Sequence, residues 1–420
     1  AVNVQAKDGT MVAGRTMEWA FDMKWTINSI PQGTKFRATA PDNLKLPPIQ
    51  FITKHAVLGI SPGILPGAPA LLEGQNSAGL AMSGNFLPGF TEYQTVTPKD
   101  LDYVSILDFG TLTLGMYANV AELRKDIVRY KVWYDSSLPS GPTPPWLHFV
   151  FTDRTGASIV IEFVKGQMRI HDNVAQVLTN SPTYDWHLTN ARNYLSLSNI
   201  ARTSVVVNGQ NVTELGQGGN LMGLPADYTP PSRFIRAANL RQLVTPPNDR
   251  LESVQLAGHI LNNVDIPIGV AASKDGDKTV SDFTQWVNIK DLSNQQWHIS
   301  NYANRTSYVT LDLKKIFDSN KSGAWPVDQL PYQSIDITNK LITINNLLSI
   351  IGTITNNFEV LVRVFARDSH VEFFLAVWLA ILHELFVLHL EGCDCDLVLV
   401  VDAEFVAVIT LGIIGRNKGC

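Results

Sequence analysis

With 420 residues, of which 45% are apolar and 17% charged, the chain is globular and long enough for one large domain or two ordinary ones. Its net charge of −5 and the lack of any Lys/Arg-rich stripe argue against nucleic acid as a partner. The cysteines, Cys393, Cys395 and Cys420, all lie in the last thirty residues, so disulfides cannot hold the main fold, and their spacing is a poor zinc signature.

Short apolar segments separated by Gly, Pro and Asn predict a series of strands between residues 2 and 180. In chain order they are VNVQA, TMVAGRTM, HAVLGIS, AGLAMSGNF, WLHFVFTD, ASIVIEFV and AQVLTN. Helical periodicity predicts helices at 101–130, 183–197, 231–244 and 250–264, the third of which opens with Pro-Ser. Further strands are predicted at 283–292, 295–302 and 306–316.

This order of elements favours one fold class. Many strands with a few long helices, not in strict alternation, are typical of α+β rather than of a doubly wound parallel sheet. The simplest arrangement places the helices on the outer faces of largely antiparallel sheets.

After residue 341 the sequence becomes very apolar and has few turn residues. We therefore predict a domain over 1–341 followed by an apolar C-terminal extension over 342–420. The longest uncharged run in the middle of the extension, FFLAVWLAIL, has ten residues, too few to span a bilayer. Membrane association of this segment is therefore disfavoured, although a lineage-specific extension and a translated gene-model artefact stay open beside it.

Two motif-like stretches do not carry the chemistry that they suggest. GISPG matches the G-x-S-x-G nucleophile elbow, but that motif needs a helix directly after the serine, and Pro62 and the following GILPGAP prevent one. HELFVLH resembles the helical zinc motif H-E-x-x-H, yet Val387 stands where the second histidine is required.

Four polar clusters next to apolar segments are stronger candidates for a functional site. They are Arg15 with Glu18 in GRTMEW, Asn85 in SGNF, Asn180 in VLTNSPTYDWH and Arg233 in PSRFIR. Each has an ordinary structural explanation on its own, as an ion pair, a turn asparagine or a charge in the first turn of a helix.

Taken together and in order, these clusters resemble the choloylglycine hydrolase family. The matching pieces are KDGTMVAGRTMEW, EGQNSAGLAMSGNFLPGFTEY, VLTNSPTYDWHLTNARNYLSL and SRFIRAANL, and with the late strands the resemblance extends to about Leu313. The family comprises bile salt hydrolases and penicillin V acylases, which are linear amide C–N hydrolases of the N-terminal nucleophile superfamily. The resemblance implies a four-layer αββα sandwich of two antiparallel sheets, no cofactor, no metal and a homotetramer.

The resemblance also implies a role for each cluster. Arg15 resembles the arginine that favours the thiolate of an N-terminal cysteine, and Glu18 stands where aspartate usually holds the α-amine. Asn85 resembles the residue whose backbone N–H contributes to the oxyanion hole, and Asn180 the one whose side chain does so. Arg233 resembles the second arginine of the site.

The first residue departs from the family pattern. Counting back from KDG places the nucleophilic cysteine two positions before Ala1, so Ala1 lies at or near the position of a missing nucleophile. Either a Cys-x dipeptide has been lost from the chain, or the protein is an inactive homologue. The retained polar residues favour the first reading, because such groups are costly without the reaction.

The expected substrate is a small-molecule N-acyl amide with an apolar acyl part, of the penicillin V or conjugated bile salt type. Trp25, Ile27, Phe86 and Leu87 are predicted to form the apolar walls. The alternatives are a catalytically inactive binder of acyl amides and an acyl-homoserine lactone acylase. A chain without an initiator Met reads as processed, which slightly favours a periplasmic or secreted location over a cytoplasmic one.

Overall fold

The computed structural model describes residues 1–65, 67, 69–140, 143–201, 203–342, 396–400 and 410–414. The chain divides into two units, Ala1–Ser334 and Ile335–Cys420. The boundary predicted after residue 341 stays a prediction.

A six-stranded antiparallel sheet brings the two ends of the first unit together. Its strand order is β1-β2-β17-β18-β19, with β16 paired to the outer part of the long β17. The strands are β1 (Val2–Gln5), β2 (Met11–Trp19), β16 (Ala271–Asp275), β17 (Lys278–Asp291), β18 (Gln296–Asn301) and β19 (Val309–Asp312).

Side chains alternate between the two faces of this sheet, as the pleat of a strand requires. Asn3 donates from Nδ2 to Thr152 Oγ1 (2.9 Å) in the second sheet, so the odd-numbered side chains of β1 face that sheet. The even-numbered Val2, Val4 and Val12 instead pack in the cluster that includes the helices on the outer face. Odd positions of β1 and β2 therefore face the interior between the sheets.

The second sheet has eight strands and is also antiparallel, in the order β13-β12-β11-β8-β7-β6-β3-β20. Its central strands are buried throughout, which explains their apolar character on both faces. The strands are β3 (Thr26–Ile30), β6 (Val57–Ser61), β7 (Glu73–Asn76), β8 (Ala81–Phe86), β11 (Leu147–Thr152), β12 (Ser158–Val164), β13 (Gln167–Asp172) and β20 (Gly323–Pro326).

Helices cover the outer face of each sheet. The helices α1 (Phe109–Met116) and α2 (Val120–Asp126) share a buried cluster with the second sheet. On the first sheet, α4 (Pro230–Leu243) and α5 (Arg250–Asn262) form the corresponding cluster, with α3 (Tyr184–Ala191) beside α4. A third cluster, which includes Met17, Ile27 and Trp286, packs between the sheets. The predicted four-layer αββα sandwich is confirmed.

Local sequence signals explain where some helices begin. Pro230 occupies the first turn of α4, where its missing N–H costs no hydrogen bond. The Asp249 side chain caps α5 by accepting from the backbone N–H of Glu252, and Asn119 caps α2 in the same way.

Some predicted elements differ in detail. The helix expected over 101–130 is a short strand followed by two helices, because the chain leaves the helical conformation at Tyr117 and restarts after Asn119, whereas Gly110 is accommodated inside α1. The segment 175–180 forms no strand of its own, and its Val177 makes an isolated bridge to Val2. The remaining elements are β4 (Lys35–Arg37) with β5 (Gln50–Ile52), β9 (Tyr103–Ser105) with β10 (Lys131–Trp133), β14 (Ser204–Val207) with β15 (Gln210–Thr213), and α6 (Leu313–Asp318).

In the second unit, the strands β21 (Asp396–Val400) and β22 (Thr410–Ile414) pair antiparallel. The three cysteines, HELFVLH and the run FFLAVWLAIL lie outside the described residues. Among the helices that the structure describes, none combines the length and the apolar character needed to span a bilayer.

Candidate active site

A cavity of about 710 Å³ is lined by residues of both sheets. It gathers Ala1 and all the charged and amide residues that the sequence singled out: Arg15, Glu18, Asn85, Asn180 and Arg233. Residues separated by more than two hundred positions thus meet at one place, which none of their individual structural explanations requires.

Arg15 reaches from β2 into the interior between the sheets and is only 3% exposed. Its Nη1 donates to the carbonyl oxygens of Leu72 (3.0 Å) and Gly84 (2.9 Å), and its guanidinium lies 5.2 Å from the centre of the Trp286 ring. Burial lowers the pKa of Arg15 to about 10, while Glu18 opposes the shift. The side chain therefore stays charged at neutral pH and supplies a fixed positive charge to the cavity.

A buried carboxylate supports Arg15 from behind. Glu73 on β7 is fully buried, and its Oε2 lies 3.7 Å from Arg15 Nη1. Lys290 of β17, also fully buried, donates to Glu73 Oε1 and to Ser83 Oγ (3.1 Å). Glu73 thus lies between two basic side chains, and burial followed by the Arg15 charge lowers the pKa of Lys290 well below its ordinary value.

Glu18 follows Arg15 on β2, but by the alternation of the strand it lies on the face toward the helices. Its Oε1 accepts a hydrogen bond from Thr284 Oγ1 (3.2 Å). Burial lowers the pKa of Arg233 from α4, and the carboxylates of Glu18 and Asp282 oppose that shift. Both acidic groups also line the cavity, so its charges are mixed rather than of one sign.

Asn180 and Arg233 hold each other in a defined orientation. Arg233 Nη2 donates to Asn180 Oδ1 (2.8 Å), and its Nε donates to the carbonyl of Tyr228 (2.9 Å). Because Oδ1 accepts from Arg233, the Asn180 amide points its nitrogen the other way, where Nδ2 donates to Phe86 O (2.8 Å). An amide nitrogen carries two hydrogens, so the second one can serve a ligand oxygen.

The backbone next to Asn180 is fixed by side chains of the second sheet. Asn85 Nδ2 donates to the carbonyls of Leu178 (3.3 Å) and Thr179 (2.8 Å). Asn85 Oδ1 is buried and has no hydrogen-bond partner among the described atoms. The side chain of Asn85 therefore positions the segment that carries Asn180.

Ala1 is tied to the same segment. Its nitrogen donates to Leu178 O (2.7 Å), and Leu178 N donates to Ala1 O (3.0 Å), so the two residues pair as neighbouring antiparallel strands do. Desolvation, followed by the Arg15 charge, lowers the pKa of the Ala1 amine to about 4.

Aromatic side chains form one wall of the cavity. Phe86 meets Trp19 edge to face, with ring centres 5.0 Å apart, and lies 5.7 Å from Trp146. Phe86 and Trp25, both predicted from the sequence, line the cavity. Ile27 and Leu87, also predicted, are buried elsewhere and are not among the described residues of the lining.

Sequence reasoning missed the buried charges behind the site. Lys290 lies in WVNIKDL, two positions after Asn288, so the period of the strand gives it the same inward face. Glu73 opens a four-residue strand that is buried at every position. A charge at an inward position of a buried strand was the available signal.

The two face-to-face antiparallel sheets with outer helices have the fold of the N-terminal nucleophile hydrolases. The sequence model of the linear amide C–N hydrolases, choloylglycine hydrolase family, matches residues 1–323. The chain belongs to the choloylglycine hydrolase family and is a linear amide C–N hydrolase.

Individual relatives agree with this assignment. A bile salt hydrolase/transferase of Clostridium perfringens is 31% identical over 322 residues, which are 76% of this chain and 93% of the relative. A penicillin V acylase of Pectobacterium atrosepticum is 24% identical over 340 residues, 77% of this chain and 82% of the relative.

Solved structures show the same fold. A crystal structure of a variant of conjugated bile acid hydrolase from Clostridium perfringens superposes with a TM-score of 0.69 at 29% identity, covering 80% of this chain and 99% of that one. Penicillin V acylase from Agrobacterium tumefaciens, at 21% identity and a TM-score of 0.58, covers 75% and 86% and is similar in fold.

Proposed function

We propose that the protein hydrolyses an N-acyl amide with an apolar acyl part, using as nucleophile a cysteine two positions before Ala1. The observation that carries this proposal is the register of the first two strands, in which Val2 pairs with Gly14. Continued backward, that register sets the cysteine opposite Met17. Its side chain then shares the inward face with Arg15, because both positions are odd.

The surroundings of Ala1 support a chain that continues past it. A peptide N–H can donate to Leu178 O as the terminal nitrogen does at 2.7 Å. The low pKa of the Ala1 amine also supports a residue before Ala1, because a site that disfavours a charged amine suits the uncharged N–H of a peptide bond.

The reaction follows from the groups around that position. The α-amine of the cysteine takes the thiol proton, and the resulting thiolate, favoured by the Arg15 charge, attacks the amide carbonyl and forms a tetrahedral oxyanion. The free Asn180 Nδ2 hydrogen and a backbone N–H at Asn85 donate to that oxyanion. The C–N bond then breaks, and the α-amine of the cysteine gives a proton to the leaving amine. Water attacks the thioester, which releases the acid and restores the thiol.

The cavity supports an apolar acyl group. Trp19 and Phe86 give it an aromatic wall, and its volume of about 710 Å³ is in the range of small-molecule sites. The relatives named bile salt hydrolase and penicillin V acylase suggest conjugated bile salts and penicillin V as the first substrates to test.

The test begins with the intact mass of the natural mature protein, which reports its first residue. That protein is then incubated with penicillin V and with glycocholate, and release of the amine is measured. Iodoacetamide alone is a weak probe, because it does not distinguish the N-terminal thiol from those of Cys393, Cys395 and Cys420. The matched control is the same protein with the N-terminal cysteine replaced by alanine.

The outcomes separate the candidate functions. Turnover that the alanine replacement abolishes supports the proposal. If the protein begins with cysteine and turns over only an acyl-homoserine lactone, the proposed mechanism holds and the proposed substrate is replaced. Binding of these ligands without turnover identifies an inactive homologue, and turnover by a protein without the cysteine overturns the assigned nucleophile.

We further propose that the protein is a homo-oligomer. Val205, Val206 and Val207 on β14 are 48%, 72% and 53% exposed, and such apolar surface is typical of an interface. Light scattering of the full chain gives the mass directly, and a monomer at micromolar concentration would count against the proposal.

A further inference from the structure

A fully buried histidine and glutamate lie behind the segment that carries Asn180. His148 on β11 is the cross-strand neighbour of Asn85, and Glu162 stands on the next strand, β12. Neither His148 nor Glu162 is exposed. His148 Nδ1 lies 2.9 Å from Glu162 Oε1, and His148 Nε2 lies 3.0 Å from Thr179 O.

The hydrogen-bond partners define which nitrogen of His148 donates to the backbone. Thr179 O is a carbonyl and can only accept, so His148 Nε2 carries a hydrogen. Glu162 Oε1 also accepts from the backbone N–H of Tyr184 (3.0 Å). His148 therefore donates from Nε2 to Thr179 O, and its Nδ1 shares a hydrogen bond with Glu162 Oε1.

The groups around the pair come from several elements. His171 of β13 places Nε2 3.7 Å from Glu162 Oε2, too far for a hydrogen bond. His187 of α3 donates from Nε2 to Asn180 O (2.9 Å), and burial lowers the pKa of His187 to about 4, so it is neutral. Three consecutive carbonyls, from Leu178 to Asn180, thus accept from buried side chains.

We propose that His148 and Glu162 are positioning residues of the oxyanion hole: the proton on His148 Nε2 fixes the Thr179 carbonyl and thereby the place of the Asn180 amide. This inference rests on the proposed function, because it assigns Asn180 to the oxyanion. His148 itself is not among the described residues that line the cavity, so it acts on the site through the backbone of Thr179.

Two substitutions of the same histidine separate positioning from packing. A glutamine amide nitrogen occupies nearly the place of His Nε2, so His148→Gln keeps a donor for Thr179 O. An asparagine amide nitrogen occupies nearly the place of His Nδ1, so His148→Asn keeps the bond to Glu162 and loses the donor. His298→Gln is the control, because this histidine contacts Thr310 on the first sheet instead.

The measurements are kcat, KM and melting temperature of the cysteine-headed protein, together with crystal structures of both His148 variants. Loss of a whole oxyanion donor costs about 10²–10³ in kcat, and we expect about 10–100 for a displaced one. His148→Asn should show this loss at unchanged KM, His148→Gln should stay within about threefold, and both should melt at similar temperatures. The control should keep wild-type kcat.

Equal losses in the two His148 variants, or losses that follow the melting temperature, would overturn the inference. If the wild-type protein turns over none of the substrates, the proposed function fails and the crystal structures decide this inference by themselves. A shift of Asn180 by about 1 Å in His148→Asn alone supports it, since such misplacement is enough to impair catalysis. An unmoved Asn180 in both variants refutes it.

Discussion

The shared anion behind Arg15 gives a sharp prediction about stability. Glu73→Gln removes the only carboxylate that the described contacts give to Lys290 and leaves Arg15 without its 3.7 Å partner. Lys290→Met removes one cation but keeps Arg15 next to Glu73. We therefore expect Glu73→Gln to destabilise the fold more than Lys290→Met does.

The magnitude follows from burial. Breaking a fully buried ion pair by removing one partner costs about 3–5 kcal/mol, because the other charge stays buried and uncompensated. For the 334-residue unit, an unfolding entropy of about 2.1 cal/mol/K per residue corresponds to about 0.7 kcal/mol/K. Glu73→Gln should thus lower the melting temperature of that unit by about 4–7 °C.

The assay is differential scanning calorimetry on the wild type, both single variants and the double variant. The double variant should be more stable than the sum of the single losses predicts, with a coupling of about 1–3 kcal/mol. Single effects that add to within about 0.5 kcal/mol would show that the two side chains do not share their stabilisation. A Glu73→Gln shift below about 1 °C would refute the reasoning altogether.

Three further predictions concern the cavity and the segment next to it. Asn180→Ala should lower kcat by about 10²–10³ with little change in KM, whereas the exposed Asn193→Ala should not, as steady-state kinetics would show. Phe86→Ala should raise KM for substrates with aromatic or steroid acyl groups, and Phe90→Ala, outside the described lining, serves as its control. Because burial lowers the pKa of His187 to about 4, from about 6.5 in the unfolded chain, its contribution to stability is present above pH 6.5 and falls by up to about 3 kcal/mol as the pH drops to 4. In His187→Gln this part of the pH dependence should vanish from melting curves between pH 7 and 4, and an unchanged slope would contradict the assignment.

Much of the fold could be predicted because its strands carry their pattern locally. The alternation in TMVAGRTM and the apolar run in ASIVIEFV are properties of single strands, and β2 and β12 lie where these patterns predict. The strand predicted over 175–180 was wrong because the segment pairs only briefly, with Ala1–Asn3, and pairing across more than 170 residues leaves no local signal.

For the candidate site, residues within sequence motifs could be predicted, whereas the residues of the apolar walls could be predicted only in part. Arg15, Asn85, Asn180 and Arg233 lie in motifs, and the structure brings them to one cavity. The walls were harder to predict: Trp25 and Phe86 face the cavity, whereas their near neighbours Ile27 and Leu87 do not. Strand direction and twist decide which of two close apolar side chains reaches a cavity, and composition carries no information on that choice.

The alternation along β2 has a consequence for how variation in this enzyme should be read. Between residues 11 and 17, side chains at odd positions face the second sheet and side chains at even positions face the helices. Substitutions at adjacent positions are therefore constrained by different neighbours. A methyl group added at Gly14 would lie 2.8 Å from Leu261 of α5, so a change one residue away from Arg15 is felt in the helix layer. Substitution at Gly14 therefore acts on the packing of the helix layer, whereas substitution at the adjacent Arg15 acts on the charge of the cavity.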